Sequence, residues 1–140
     1  MTERPHDRPR LEPLDRDECL RLLASQAVGR IGITVSALPV VLPVNFALAD
    51  DAIVLRTIPG TKLDAATKRA VVAFEVDSYE PDGRSGWSVL VIGTAARVPD
   101  SQVESVESLD IDAWPLDGHA SNFVRIDLAH VTGRRFRRSP

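Results

Sequence analysis

The sequence predicts a mainly β domain with short helices, folded as a small antiparallel Greek-key barrel of about five or six strands. Three observations lead there. Short stretches of alternating or continuous apolar residues recur along the chain, bounded by Gly, Pro, Asp and Asn. The connections between most of them are too short for a parallel crossover, so the pairing is antiparallel. The chain has 140 residues, 44% of them apolar and 26% charged, enough for one core and too few for two domains.

Residues 1–13 interleave Pro5, Pro9 and Pro13 with Arg4, Arg8 and Arg10. They read as a disordered arm, because proline lacks a donor and the rest offer no core. The folded domain is then 14–136, with a basic tail at 137–140. The first helix opens at Asp15, which has capping-box spacing to Glu18, and Leu14 can staple onto Cys19. Leu20, Leu22, Leu23 and Ala27 continue an apolar side, and Gly29 is the expected terminator.

From Gly29 the period falls to two, with Ile31, Ile33 and Val35 on one face. The run 40–48 is nearly all apolar but contains Pro43, which demands an edge strand or a bulge. Asp50 and Asp51 make a turn into the strand 53–57. Thr61 and Asp64 then signal a short helix through Arg69. Strands follow at 71–77 and 86–98, the second with a kink or bulge at Gly93. Ser101 and Glu104 open another helix, 110–121 is irregular, and 123–128 is the last clear strand.

The composition excludes several functions. A formal net charge of −3 makes no case for nucleic acid as a partner. No apolar run reaches the ~18 residues of a membrane span, so the expectation is a soluble, cytoplasmic protein without a membrane partner. The single cysteine, Cys19, forms no internal disulfide and fits a reducing compartment. His6, His119 and His130 are scattered, and no metal-ligand spacing appears. Gly83-Arg84-Ser85-Gly86 lacks the spacing of a hydrolase elbow.

The best local signal runs Leu55-Arg56-Thr57-Ile58-Pro59-Gly60-Thr61-Lys62. A strand delivers Arg56 and Thr57, a glycine permits a tight turn, and a helix begins at Thr61, an arrangement that suits a phosphate. Lysine occurs only twice, as Lys62 and Lys68, against fifteen arginines. The other reading is a capped surface helix with solvated charges. Val41, Pro43, Val44 and Asn45 belong either to a strand whose unpaired backbone groups meet a planar heterocycle or to an edge strand guarded by its proline. Trp87, beside Ser88, either stacks on a ligand or plugs a barrel end. Trp114 suits a pocket wall or an interface.

Together these segments resemble the pyridoxamine 5′-phosphate oxidase-like family of flavin-binding split barrels, over residues 14–135. The likeness rests on Val28-Gly29-Arg30-Ile31, Pro43-Val44-Asn45-Phe46, Arg56-Thr57 with Gly60-Thr61-Lys62, Phe74-Glu75-Val76-Asp77, Gly86-Trp87-Ser88-Val89-Leu90-Val91-Ile92-Gly93, Trp114 and Thr132-Gly133-Arg134-Arg135. It looks closest to the short branch with nitroimidazole-resistance proteins and actinobacterial flavin or deazaflavin reductases. The resemblance implies a six-stranded split barrel, paired as a homodimer with flavin at the interface. Thr57, Thr61 and Lys62 would hold the phosphate, the strand 41–45 would face the ring, and Trp87 and Ser88 would come from the partner. The His and Arg pair in the C-terminal segment of true pyridoxamine phosphate oxidases is missing, which argues against vitamin B6 oxidation. The implied function is a flavin-dependent oxidoreductase using FMN, or a deazaflavin in its place, to reduce a small-molecule acceptor. The alternative is a non-catalytic flavin, deazaflavin or heme carrier. No side chain stands out as catalytic.

Overall fold

The computed structural model describes residues 10–109, 111 and 122–138. Nine strands and three helices occur among them: β1 (Arg10–Leu14), α1 (Arg16–Ala24), β2 (Val28–Val35), β3 (Leu38–Asn45), β4 (Ala47–Leu48), β5 (Ala52–Thr57), α2 (Lys62–Ala66), β6 (Arg69–Tyr79), β7 (Ser85–Arg97), α3 (Val103–Glu107), β8 (Asn122–Asp127) and β9 (His130–Arg137). The sheet runs β3-β2-β6-β7-β8-β5-β4, with β9 added on β7 and β1 on β9. Every ladder is antiparallel. This is a curled split barrel, as the sequence indicates. Among the described residues no helix is long and apolar enough to cross a membrane.

The strand count is corrected from six to nine, and each extra strand has a local cause. Phe46 leaves the ladder to bury its ring against Phe74, edge-on at 4.8 Å between centroids, and so divides the run 40–48 into β3 and β4. β9 carries Arg134, Arg135 and Arg137, cationic positions that mask the alternation by which a strand is recognised. β1 forms on the free edge of β9, with Pro13 opposite Arg134. An edge strand tolerates a proline because its outer N–H groups need no partner. Residues 10–13 are therefore strand rather than disordered arm, and residues 1–9 lie outside the described residues.

The helices begin where the sequence expects and stop earlier. Asp15 caps α1 by accepting from the Glu18 N–H at 2.9 Å, and Cys19, Leu22 and Leu23 are buried beneath it. The Glu18 carboxylate accepts from Arg21 and from Arg135, tying α1 to β9; these two guanidinium groups hold its carboxyl down to about 2. Ser25 ends α1, and Gly29 lies inside β2. In α2, the Thr67 hydroxyl donates to the Leu63 and Asp64 carbonyls and closes the helix before Arg69.

Two apolar cores flank β5. Ile53 and Leu55 face the main core with Ile31, Phe74, Val89, Val91 and Ile126, while Val54 faces a smaller one with Val98, Val106 and Ile111. β3 stands at one end of the sheet path, so Pro43 is on an edge as expected. β3 also touches β5, although no ladder among the described residues joins them. This contact is the seam of the barrel.

Gly93 governs the curl. β7 pairs with β9 from Ser85 to Ile92 and with β8 from Ala95 to Arg97, while keeping β6 on its other side. At the change of partner the Thr94 N–H donates to Asp127 Oδ1 at 2.9 Å. A Cβ on Gly93 would lie 2.0 Å from the Asp127 carbonyl oxygen. Gly93→Ala should therefore lower the unfolding free energy by roughly 1–3 kcal/mol, read as a lower urea midpoint; an unchanged midpoint would refute this account of the crossover. The β2–β3 hairpin behaves in the opposite sense. Ser36 and Ala37 both have positive φ, 50° and 66°, the geometry of a type I′ turn that favours Asn-Gly. Ala37→Gly should raise stability by roughly 1 kcal/mol, visible as a higher Tm.

Candidate functional site

The segment from β5 to α2 folds around a buried carboxylate. Asp64, 7% exposed, accepts from the Thr57 hydroxyl at 2.8 Å, the Asn122 amide at 2.9 Å and the Gly60 N–H at 3.3 Å. Burial works against its charge, but the bonds from Asn122, Thr57 and Gly60, with the charge of Lys68, outweigh it and hold the carboxyl below its ordinary range. Gly60 turns the chain at a φ of 84°, open to glycine at little cost. Thr61 caps α2, accepting from the Asp64 N–H at 3.2 Å while donating to the Ile58 carbonyl at 2.7 Å. Thr57, Gly60 and Asp64 from one segment, with Asn122 from 58 positions away, thus lock one turn.

That lock sorts the expected phosphate ligands. The Thr57 hydroxyl proton goes to Asp64, so Thr57 shapes the turn. Thr61 and Lys62 are exposed at the rim, and Lys62 makes no ion pair among the described residues. Arg56 projects to the opposite face of β5, as strand alternation requires. There it donates to the Ile111 carbonyl at 2.9 Å and lies over the Phe123 ring, 5.6 Å from its centroid. It lines a separate cavity of about 340 Å³ with Arg97, Asp100, Glu107 and Asn122.

On β3, Val41 and Pro43 are exposed, Asn45 is half-buried and Val44 points into the core. The outer edge of this strand lies at the seam beside β5. Trp87 and Ser88 lie elsewhere: they pair with Ser78 and Asp77 on β6 and with Arg135 and Arg134 on β9. Eight residues of β7, roughly 26 Å of extended chain, separate Trp87 from Ala95, where β8 joins. One protomer therefore does not bring them to the β5–α2 turn along its own sheet. Trp114 lies outside the described residues. Asp64 and Asn122 are the members that sequence reasoning missed as a site. Asp64 read only as the third residue of a capped helix, and Asn122 is 58 positions away. Among the described residues no group of three or more His, Cys, Asp or Glu could hold a metal ion.

Comparison with known proteins places these features in context. A family model for pyridoxamine 5′-phosphate oxidase matches residues 15–135. An uncharacterized protein of Mycobacterium tuberculosis, Rv0080, is 40% identical over 128 residues, which cover 87% of this chain and 83% of that protein. The structure of an FAD-binding protein from Mycobacterium smegmatis is similar at a TM-score of 0.78 and 35% identity, covering 90% of this chain and 100% of that one. An FAD-binding protein from Mesorhizobium loti gives a TM-score of 0.69 and 27% identity, covering 89% and 97%.

The Asp64 lock has a pH signature. A carboxyl whose folded pKa is depressed contributes stability above its unfolded pKa of about 3.9, and that contribution is lost as the pH falls through the folded value. Asp64→Asn should cost roughly 1–3 kcal/mol at pH 7, and the gap from wild type should narrow below about pH 4. Urea titrations at pH 7 and pH 3 measure both. Equal midpoints at pH 7 would show that the carboxylate does not hold the turn.

Proposed function

The chain belongs to the pyridoxamine 5′-phosphate oxidase family of flavin-binding split barrels, and on that premise we propose that it is a flavin-dependent oxidoreductase that works as a homodimer. The observation that carries the reading is the β5–α2 turn. Asp64 holds it rigid from within, and Lys62 is exposed at its rim with no anionic partner among the described residues. An exposed ammonium carried on a turn that is already rigid fits a phosphate, because the cost of ordering the turn is met in folding. FMN and FAD share the ribityl phosphate, so one cradle serves either, and the FAD-binding relatives support a flavin here.

In this reading Lys62 holds the phosphate, Thr57 acts through Asp64 to keep the turn in place, and Thr61, whose hydroxyl proton goes to the Ile58 carbonyl, caps α2 and so sets the position of Lys62. The outer edge of β3 at residues 41–45 presents backbone groups to the flat edge of the ring system. Pro43 removes one donor from that edge, leaving acceptors to select a ligand with N–H groups. When bound, the flavin supplies the transfer of a hydride or electron pair to a small acceptor. The protein's part is to hold and orient, since none of these residues is placed as a general acid or base.

Two features support the homodimer reading. Trp87 and Ser88 sit too far along β7 to complete the β5–α2 site of their own protomer, so a second copy would supply them. The outward face of β2, β3, β6 and β7 is also apolar for a solvent face, with Val28 at 45%, Val41 at 66% and Val71 at 70% exposure. A two-fold pairing covers such a face and creates two equal sites.

The mass of the cofactor released from purified protein should be that of FMN or FAD, and the bound form should be reduced by a nicotinamide or deazaflavin donor. Lys62→Ala should weaken FMN binding roughly tenfold to hundredfold and leave riboflavin, which lacks the phosphate, nearly unaffected. Fluorescence titration of both ligands reads this directly. Equal weakening of both would remove Lys62 from the phosphate site, and holoprotein that reduces no acceptor would favour the carrier alternative.

A further inference from the structure

The outward face of β2 and β6 holds a charged cluster that the flavin reading leaves unused. Arg30 Nη1 donates to Glu75 Oε1 at 3.2 Å and to Asp77 Oδ2 at 2.8 Å. Two carboxylates share one guanidinium, which leaves the cluster one negative charge in excess when both are ionised. Its surroundings are apolar. Leu90 on β7 stands opposite Glu75, and Gly32, next along the face from Arg30, stands opposite Val41 on β3. The polar groups on this face beside the cluster are Tyr79 on β6, Ser88 on β7 opposite Asp77, and Arg134, Thr132 and His130 on β9, opposite Ser88, Leu90 and Ile92; β3 offers the uncharged Pro43 opposite Arg30. Burial pushes the Glu75 carboxyl up, and the hydrogen bond and charge of Asp77 push it further against the pull of Arg30, to about 7.

A second copy fits this face better than another partner does. The cluster carries both signs and is therefore self-complementary across a two-fold axis, and the β5–α2 site is incomplete without residues from elsewhere. Covering the cluster removes the water that now screens its excess charge, which is costly unless that charge is neutralised. We propose that this face accepts a second copy of the chain only with a proton held between Glu75 and Asp77, so that forming the homodimer takes up one proton per protomer. This inference rests on the homodimer reading above and adds pH control to it. The direction follows from linkage: the form that binds more protons is favoured as pH falls. Below about 7 the separate protomers already carry the proton, so association there is insensitive to pH. Above that value each proton taken up weakens association about tenfold per pH unit, so the two protons of a dimer together give about a hundredfold per pH unit.

Sedimentation of the full chain with its bound cofactor, at graded concentrations from pH 6 to pH 9, measures the dimer dissociation constant. We expect a flat region below about pH 7 and a steep rise above it. Glu75→Gln, which mimics the protonated acid, should keep the dimer tight at pH 9 and abolish the rise. Asp77→Asn leaves Arg30 balanced by Glu75 alone and should flatten the profile too, while His130→Gln on the same face should leave the rise intact. A wild-type dimer with a flat profile, or a rise that survives both acidic-site variants, overturns the proton linkage and leaves the homodimer standing. A monomer that retains flavin at every pH overturns the homodimer reading as well.

Discussion

Everything in this fold depends on one strand changing partners. β7 keeps β6 along its whole length but exchanges β9 for β8 at Gly93, where Asp127 comes so close that no side chain fits. A strand with a single neighbour on that side would have continued a flat sheet. The exchange instead folds the sheet over, so that β8 carries β5 back across the core toward β3. The Thr94 N–H would be orphaned by the exchange, and Asp127 satisfies it with a side-chain oxygen.

Once β5 is carried back, its two faces acquire different environments. Leu55 enters the main core, Val54 the smaller one, and the strand ends with Thr57 turned inward and Arg56 outward. The inward end meets Asn122 on the neighbouring strand and Asp64 on the following helix, and the three lock the turn. The same alternation that aims Thr57 at Asp64 sends Arg56 to Ile111 and Phe123. A linear motif with four polar side chains is thereby divided into internal props, an outward arginine and a rim lysine.

The outer face follows from the same curl. The sheet wraps a core small enough for one short chain and leaves β2, β3 and β6 with apolar residues facing out. Arg30, Glu75 and Asp77 stand among them, the guanidinium exposed and the two carboxylates partly sheltered beside it. An apolar surface with an ionic centre is the face that the proposed two-fold partner would cover. In the homodimer proposed above, one protomer's Trp87 would reach the other protomer's turn and so link assembly to cofactor binding.

Much of this was legible in the residues. Binary period, turn signals and the capping pairs Asp15–Glu18 and Thr61–Asp64 by themselves determined the mainly β class, the starts of two helices and the edge position implied by Pro43, because these are local properties of the backbone. The ordered motifs also identified the family, since each lies on a strand or turn the local pattern already marks. What only tertiary structure decided depends on distance in sequence. β9 needed β7 and β1 beside it before a cationic stretch could read as strand, and β4 separated from β3 because Phe46 had a ring to meet. Asp64 became the hub of the site only when Asn122 arrived from 58 positions away. Local sequence sets the period and direction of each segment; which buried donors meet a given carboxylate is settled only when the sheet closes, because that encounter belongs to the packing and not to any one stretch of chain.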